Sequence, residues 1–133
     1  MQITLCKAKL HRLRVTQAEL HYEGSITIDQ DLLDAAGIVP FERVQVVDIT
    51  NGERFETYTY GGVRGSGVVC LNGAAARRVH VGDLVIVIAY AEMTPEEAAT
   101  HCPTLALIGE DNTIKEIVHD IAQPVLHEHD HEC

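Results

Sequence analysis

The sequence predicts a mainly β protein, a closed β-barrel with short capping helices, on three observations. Most apolar residues fall in short stretches that alternate with polar residues in period two, which is typical of half-buried strands. Turn signals separate these stretches at short intervals. Segments with helix-capping residues are few and short. The chain has 133 residues, of which 46% are hydrophobic, so one domain with one core is expected.

The N-terminal part is predicted to hold three strands followed by a helix. Residues 2–7 and 11–17 alternate in period two, and a third strand begins at Ser25. Asp29 suits the N-cap of the helix that follows, because its short side chain accepts hydrogen bonds from the first free backbone N–H groups. Gly37 marks the end of that helix, since glycine adopts the left-handed conformation without steric cost.

The middle of the chain is predicted to form a β-hairpin. Its strands are residues 43–50 and 53–60, and Asn51-Gly52 between them is a strong hairpin signal. Alternation places Thr57 and Tyr58 on opposite faces of the return strand. A twist or a bulge is therefore needed to bring both side chains into one cavity.

The C-terminal half is predicted to add strands, two helical turns and a final hairpin. A strand at 67–71 turns through Asn72-Gly73 into an Ala-rich helical turn. The apolar stretch 84–93 is expected to be a strand buried on both faces. Thr94 opens a capping box, so a short helix to about His101 follows. Two short strands on either side of an EDN turn complete the chain of regular elements.

Charge and cysteine content exclude several functional classes. The net charge of −10 argues against nucleic-acid binding, which depends mainly on Lys and Arg. The four cysteines show no C-x-x-C spacing, and the longest apolar run, 84–91, is too short to span a bilayer. A reduced, cytoplasmic protein with no membrane partner is expected. Residues 1–16 carry cations and no acid, which suggests either a local anion site or a solvated strand face.

The Gly24-Ser25 pair is the candidate reactive bond. A serine hydroxyl can attack the preceding carbonyl and convert the amide to an ester, and glycine there permits close approach and strained dihedral angles. Elimination of the ester gives dehydroalanine, and loss of ammonia leaves a pyruvoyl group, an electrophilic ketone. The dipeptide alone is a weak signal, because a second pair, Gly65-Ser66, is expected to be only a hairpin turn.

Three segments closely resemble the pyruvoyl-dependent aspartate 1-decarboxylase family. They are KAKLHRLRVTQAELHYEGSITIDQDLLDAAGI at 7–38, TNGERFETY at 50–58 and RGSGVVCLNGAAARRVHVGDLVIVIAYA at 64–91. The resemblance runs from about residue 1 to residue 118. It implies a double-psi β-barrel that assembles as a homotetramer with active sites between subunits. The implied activity converts L-aspartate to β-alanine and carbon dioxide for pantothenate and coenzyme A synthesis.

The same resemblance assigns roles to individual residues. It makes Gly24-Ser25 the processed bond, which yields fragments 1–24 and 25–133 and a covalent pyruvoyl group derived from Ser25. That group is implied to hold aspartate as a Schiff base, with Tyr58 as the proton donor. The other implied residues bind substrate or act at the cleavage site, and they are Lys9, Arg54, Thr57, Asn72, Gly73, Ala74 and Ala75, with His11 and Tyr22 lining the pocket. Whether cleavage is spontaneous or needs a maturation factor stays open.

The chain is expected to form a catalytic domain at 1–118 and a flexible tail at 119–133. The tail is rich in histidines and acids, and it ends in HEHDHEC. Alternate spacing in a flexible segment presets no coordination geometry, so no metal site is predicted. Two other classes stay open. One is a non-catalytic barrel that binds a small acidic metabolite at Arg54 and Lys9, and the other is a metal-handling protein that acts through the tail.

Overall fold

The computed structural model describes residues 1–119, which form nine strands in one mixed sheet and several short helices. The predicted mainly β class with short capping helices is confirmed. The predicted tail lies outside the described residues, apart from His119. The strands are β1 (Ile3–Arg14), β2 (Gln17–Glu19), β3 (Ser25–Asp29), β4 (Arg43–Asp48), β5 (Arg54–Gly62), β6 (Val69–Asn72), β7 (Leu84–Met93), β8 (Thr104–Ile108) and β9 (Ile114–Val118). The helices are α1 (Gln30–Ala36), α2 (Pro95–Ala99) and 3₁₀ turns at Gly73–Arg78 and Glu110–Asn112.

The sheet has the strand order β2-β6-β3-β5-β4-β7-β1-β8-β9. Three of its pairs are parallel, namely β1 with β8, β2 with β6, and β3 with β5. The remaining pairs are antiparallel. Alternate residues of the central strands point inward and form the core, which includes the fully buried Leu10, Val46 and Val87. Both β1 and β3 lie between two neighbours and are therefore hydrogen-bonded along both edges.

The first two predicted strands are a single strand, β1, which is 12 residues long. Its pairing with β7 shifts register between Cys6 and Ala8 and again between His11 and Leu13. Each bulge resets which side chains point inward, and Arg12 at the second bulge has a φ of 73°. The sequence pattern is interrupted at these bulges although the strand continues, which is why the prediction of two strands was wrong.

The apolar strand β7 is buried mainly on one face, which corrects the prediction of burial on both. Val85, Val87 and Ala89 point into the core, and Ile88 on the other face is 8% exposed. Beyond Ile88 the outer side chains reach solvent. Tyr90, for example, is exposed on the outer face, where its hydroxyl donates a hydrogen bond to Gln45 Oε1 (2.8 Å). The run is apolar in composition, but residues 1–119 leave the outer face of its C-terminal half uncovered.

Both predicted helix caps are confirmed. The Asp29 side chain accepts a hydrogen bond from the backbone N–H of Asp31 (2.9 Å), and Gly37 ends α1 with a φ of 72°. Thr94 and Glu97 form a capping box at α2, which ends at Ala99 rather than at the predicted His101. The Asp29 carboxylate also accepts hydrogen bonds from the backbone N–H groups of Gly65 and Gly67. Residues 63–66 do form a turn, but the prediction of a hairpin turn is wrong, because β3 lies between the flanking strands β5 and β6.

The carboxyl groups of Asp48 and Asp83 lie in contact near the end of the β4–β5 hairpin. Asp48 is fully buried, and its Oδ2 atom receives no N–H or O–H donor from elsewhere in residues 1–119. Burial, followed by the contact with Asp83, raises the pKa of Asp48. The contact with Asp48 in turn lowers the pKa of Asp83. As pH falls, Asp48 is therefore the first of the pair to take up a proton, which it can donate to Asp83.

We expect the substitution Asp48→Asn to make the folded protein less sensitive to rising pH. The stabilisation that depends on protonated Asp48 is complete below the pKa of an unfolded carboxyl, about 3.9, and is lost as pH rises through the raised folded value. An asparagine amide donates to Asp83 at every pH. Urea unfolding from about pH 4 to pH 8 should therefore show the variant gaining stability over the wild type as pH rises.

The matched control for this prediction is Asp34→Asn. A hydrogen bond from Arg64 lowers the pKa of Asp34, so its stabilisation is present above the unfolded pKa and is lost as pH falls. The control should therefore lose stability relative to the wild type toward neutral pH, which is the opposite sign. Parallel stability curves for wild type and Asp48→Asn over the whole range would contradict donation of a proton from Asp48 to Asp83.

Candidate functional site

The Gly24-Ser25 bond lies where a loop enters strand β3. Ser25 is the first residue of that strand and pairs with Asn72 of the antiparallel strand β6. The other edge of β3 is held by β5, with Ile26 paired to Thr59. Ser25 is 1% exposed. The serine is thus held inside the sheet from its first atom, whereas Gly24 belongs to the loop.

An asparagine amide orients the Ser25 hydroxyl. The Nδ2 atom of Asn72 donates to Ser25 Oγ (3.0 Å) and to Thr27 Oγ1 (3.1 Å). The Oδ1 atom of Asn72 accepts a hydrogen bond from the Cys70 thiol (Sγ–Oδ1 3.2 Å). Both N–H groups of the amide are therefore used on hydroxyl oxygens. The amide therefore donates to the hydroxyl that is predicted to attack Gly24.

Two cavities flank the bond. The Ser25 cavity has a volume of about 380 Å³ and is lined by Gln17, Glu19, Tyr22, Glu23, Ser25, Thr27, Tyr60, Val68, Cys70 and Asn72. The Gly24 cavity has a volume of about 390 Å³ and is lined by Gly24, Phe55, Glu56, Thr57, Tyr58, Ala74, Ala75 and Arg78. The predicted residues Tyr22, Thr57, Tyr58, Asn72, Ala74 and Ala75 therefore all border one cavity or the other.

Gly73 packs directly against the bond. Its φ is 68°, and a Cβ atom there would lie 2.7 Å from both the Cα and the N of Gly24 and 2.8 Å from the Tyr22 carbonyl oxygen. A Cβ on Gly24 itself would meet only the Asn72 carbonyl oxygen, at 4.0 Å, and the φ of Gly24 is not positive. A close backbone contact and a positive φ were expected at Gly24, but the structure has both at Gly73 instead.

Thr57 and Tyr58 share the Gly24 cavity although they are adjacent on strand β5. The Tyr58 ring packs edge-on against Tyr60 (centroids 5.8 Å apart), and Tyr60 packs in the same way against Phe41 (5.2 Å). Desolvation, followed by the nearby Tyr60 and Glu23, raises the pKa of Tyr58. The phenol therefore stays protonated at neutral pH and is able to donate a proton.

The remaining predicted residues, Lys9, His11 and Arg54, do not line either cavity. Strand pairing places Lys9 beside Ile88, Ile88 beside Gln45, and Gln45 beside Glu56 in one row on the outer face of the sheet. His11 and Arg54 end the next row on the same face. Three strand spacings separate the ends of each row, about 14 Å.

The two cavities contain more acids than bases. Glu19 and Glu23 line the Ser25 cavity, and Glu56 lines the Gly24 cavity. Arg78 is the single base among the described lining residues, and its Nη1 atom is paired with the Glu53 carboxylate (2.7 Å). A dicarboxylate bound beside Ser25 therefore needs cations from outside these cavities.

Thr27, Cys70 and Tyr60 are site residues that the sequence analysis missed. The cross-strand pairs Ser25–Asn72 and Thr27–Cys70 place four polar or thiol side chains on one face of the sheet. The i, i+2 spacing from Ser25 to Thr27, and from Asn72 back to Cys70, was a signal that could have revealed the two missed residues on this face. Tyr60 could not be found in this way, because it reaches the Ser25 cavity through the parallel pairing of β3 with β5.

The described residues form neither a metal-binding cluster nor a membrane-spanning helix. Within residues 1–119, three or more His, Cys, Asp or Glu side chains do not come together in a cluster that could hold a metal ion. The His-rich segment proposed as an alternative site lies outside the described residues. The helices of the described part are all too short or too polar to cross a membrane.

Comparison with known proteins places this geometry in a family. Residues 1–115 match the sequence model of a family described as aspartate decarboxylase. The chain is 59% identical over 118 residues to aspartate 1-decarboxylase of Bacillus licheniformis, covering 89% of this chain and 93% of the relative. It is 56% identical over 124 residues to aspartate 1-decarboxylase of Exiguobacterium sibiricum, covering 92% and 98%. A computationally designed solved structure, msDPBB_sym2, aligns with a TM-score of 0.44 at 15% identity over 67% of this chain and 99% of its own. The chain belongs to the aspartate decarboxylase family.

Proposed function

We propose that this protein cleaves its own Gly24-Ser25 bond and then converts L-aspartate to β-alanine and carbon dioxide for pantothenate and coenzyme A synthesis. Family membership supports the decarboxylation. The observation that carries the self-cleavage is the buried Ser25 hydroxyl, which Asn72 holds at 3.0 Å next to a glycine packed against Gly73. A buried, oriented hydroxyl on the residue that follows the carbonyl favours intramolecular attack.

Cleavage begins when Ser25 Oγ attacks the Gly24 carbonyl carbon. A C–O bond forms, the C–N bond breaks, and the hydroxyl proton passes to the released amine. Loss of the Ser25 α-proton then expels the Gly24 carboxylate from the Ser25 Cβ atom. Water replaces the nitrogen, which leaves as ammonia. One water molecule is consumed and one ammonia is released for each bond cut, and the fragments are 1–24 and 25–133.

The surroundings of Ser25 fit a small pyruvoyl group in its place. Asn72 supplies an amide donor, and Thr27 and Cys70 supply small uncharged neighbours in a buried position. Such a group, when present, holds the substrate amine and withdraws electrons from its α-carbon. The chain's own residues then bind the carboxylates, exclude water and return a proton.

Substrate binding is proposed to need a second subunit of a homotetramer. Arg54 and Lys9 are the proposed carboxylate anchors, since guanidinium and ammonium groups suit a dicarboxylate. They lie on the outer sheet face of their own chain, while the cavities beside Ser25 are lined by several acids and by a paired Arg78. An active site between subunits brings the anchors of one chain to the Ser25 position of another. His11 lies in the same row as Arg54 and belongs to this proposed contact.

Tyr58 is proposed to protonate the α-carbon after carbon dioxide leaves. We expect Tyr58→Phe to cut normally but to lower kcat by about 10²- to 10⁴-fold, the usual contribution of a positioned acid. Carbon dioxide release per cut chain measures this effect. The control is Tyr90→Phe, which removes a phenol on the outer face that donates to Gln45. A Tyr58→Phe enzyme with wild-type kcat would remove this residue from the mechanism.

Intact-mass spectrometry of the purified chain under denaturing conditions tests the proposed function. We expect two fragments, with the second lighter by one ammonia than a fragment beginning with serine and reducible by borohydride. The same sample should release carbon dioxide from L-aspartate. A chain that stays intact after prolonged incubation and releases none would favour the non-catalytic binding barrel instead. A time course with the purified chain alone also tests the need for a maturation factor.

The proposed function also concerns the extent of the catalytic domain and the location of the protein in the cell. Residues 1–118 are proposed to form the catalytic domain, with the segment from residue 119 onward dispensable for activity. A biosynthetic activity on a free amino acid supports a cytoplasmic location. Removing residues 119–133 should leave cleavage and decarboxylation unchanged, whereas loss of both would favour a function in the His-rich segment.

A further inference from the structure

We propose that Cys70 is a positioning residue for self-cleavage, and that its thiol fixes which way the Asn72 amide faces. This inference rests on the self-cleavage proposed above. Cys70 is 6% exposed, and its Sγ atom lies 3.2 Å from Asn72 Oδ1. The amide nitrogen of Asn72 then faces the hydroxyls of Ser25 and Thr27.

The hydroxyls cannot fix this orientation alone. A serine or threonine hydroxyl donates and accepts equally well, so Ser25 and Thr27 would tolerate either face of the amide. A thiol donates weakly and is a still poorer acceptor for an N–H group. With Oδ1 toward Cys70, the thiol has a carbonyl to donate to, and the reversed amide would leave Nδ2 facing sulfur. The third partner therefore decides the orientation.

The protonation state of the thiol agrees with a donor role. Burial, followed by the nearby carboxylate of Glu19, raises the pKa of Cys70. The group thus remains S–H at neutral pH. Glu19 lies on β2, which pairs in parallel with β6 and places Glu19 opposite Asn72. The described charged residues that line the same cavity are Glu19 and Glu23, and both favour the neutral thiol.

The orientation matters because negative charge develops on Ser25 Oγ twice. The hydroxyl loses its proton when it attacks Gly24, and the same oxygen later leaves as part of the Gly24 carboxylate. An N–H group directed at Oγ stabilises this charge in both steps. A reversed amide would present its carbonyl oxygen to Oγ and oppose both steps. Cys70 therefore acts on the reaction through Asn72 and touches no reacting atom itself.

The test follows conversion of the intact chain to fragments by denaturing mass spectrometry. We expect Cys70→Ala to slow this conversion about tenfold, the change that accompanies loss of one neutral hydrogen bond. Cys70→Ser keeps a donor and should cut within a few-fold of the wild type. The control is Cys6→Ala, whose thiol lies 3.9 Å from the Ala8 carbonyl oxygen, and it should cut normally.

A double-mutant cycle with Asn72→Ala separates positioning from a structural effect. If Cys70 acts only through Asn72, Cys70→Ala will cause no further slowing in the Asn72→Ala chain. Equal slowing in both backgrounds, or wild-type cutting by Cys70→Ala, would overturn the inference. Failure of the wild-type chain to cut would instead count against unassisted self-cleavage in the proposed function, so the two failures are distinguishable. Cys70→Ser guards against a folding defect, since it preserves a buried polar group of similar shape.

Discussion

Replacing Ser25 with alanine is expected to leave one uncut chain that releases no carbon dioxide from aspartate. Alanine removes the only atom proposed to attack the Gly24 carbonyl and also removes the precursor of the ketone. The side chain is buried and Asn72 loses one acceptor, so a modest loss of stability, about 1–3 kcal/mol, should accompany the change. Intact mass and carbon dioxide release, measured on the same preparation, report the two effects together.

The chain contains its own control for this prediction, the second Gly-Ser pair. Ser66 lies in an exposed turn, where its Oγ donates to the Val63 carbonyl oxygen (2.6 Å). Ser66→Ala should cut at position 24 and remain active. The self-cleavage account would be wrong if Ser25→Ala protein were found cut or active. Cutting at Gly65-Ser66 would also show that the dipeptide, and not its surroundings, determines the site.

Replacing Gly73 with alanine is expected to block cleavage almost as completely. The new Cβ would lie 2.7 Å from backbone atoms of Gly24, which is far inside van der Waals contact. The contact is with backbone on both sides, so relief requires the loop before Ser25 to move. A displacement of about 1 Å at a reacting centre commonly costs about a hundredfold in rate. The fraction of cut chain over time measures this loss.

Gly52→Ala is the matched control for the dihedral angle. Gly52 has a φ of 79°, close to that of Gly73, but a Cβ there meets no atom within 4 Å. Both variants should lose about 1–2 kcal/mol of stability because alanine is strained at positive φ, and Gly73→Ala should lose more because of its contact with Gly24. Only Gly73→Ala should slow cutting. Equal cutting rates for the two variants would show that the contact with Gly24 does not control the reaction.

Much of the fold could be predicted because its signals are local. Asp29, Gly37 and Thr94 mark helix ends by side-chain and backbone chemistry that needs no distant partner. The family resemblance implied a double-psi β-barrel, and the nine-stranded mixed sheet confirms the mainly β class. The bulges in β1 were not predictable, because they depend on the register with β7, which is more than 70 residues away. The exposure of Tyr90 likewise depends on what covers a face, which the strand's own composition does not encode.

The candidate site also has features that could be predicted from the sequence and features that could not. The pairing of Ser25 with Asn72 follows once two neighbouring strands are identified, because paired residues share a face. The contact between Gly73 and Gly24 depends on a positive φ that no pattern of side chains encodes. The distance from Lys9 and Arg54 to Ser25 in the proposed active site cannot be predicted from one chain. Both residues lie on the outer face, and in the proposed assembly they contact a neighbouring subunit.

The proposed cleavage site, between Gly24 and Ser25, lies after β1 and β2, and this affects the mature protein. The 24-residue fragment keeps β1, which is inserted between β7 and β8, so cutting would release no part of the sheet. The product would be a noncovalent heterodimer of two peptides derived from one gene product. Its melting would become dependent on concentration, and refolding after denaturation would require two molecules to meet. Maturation would thus be irreversible. The continuous chain would fold first, and the cut fold would then persist because β1, held between β7 and β8, dissociates slowly.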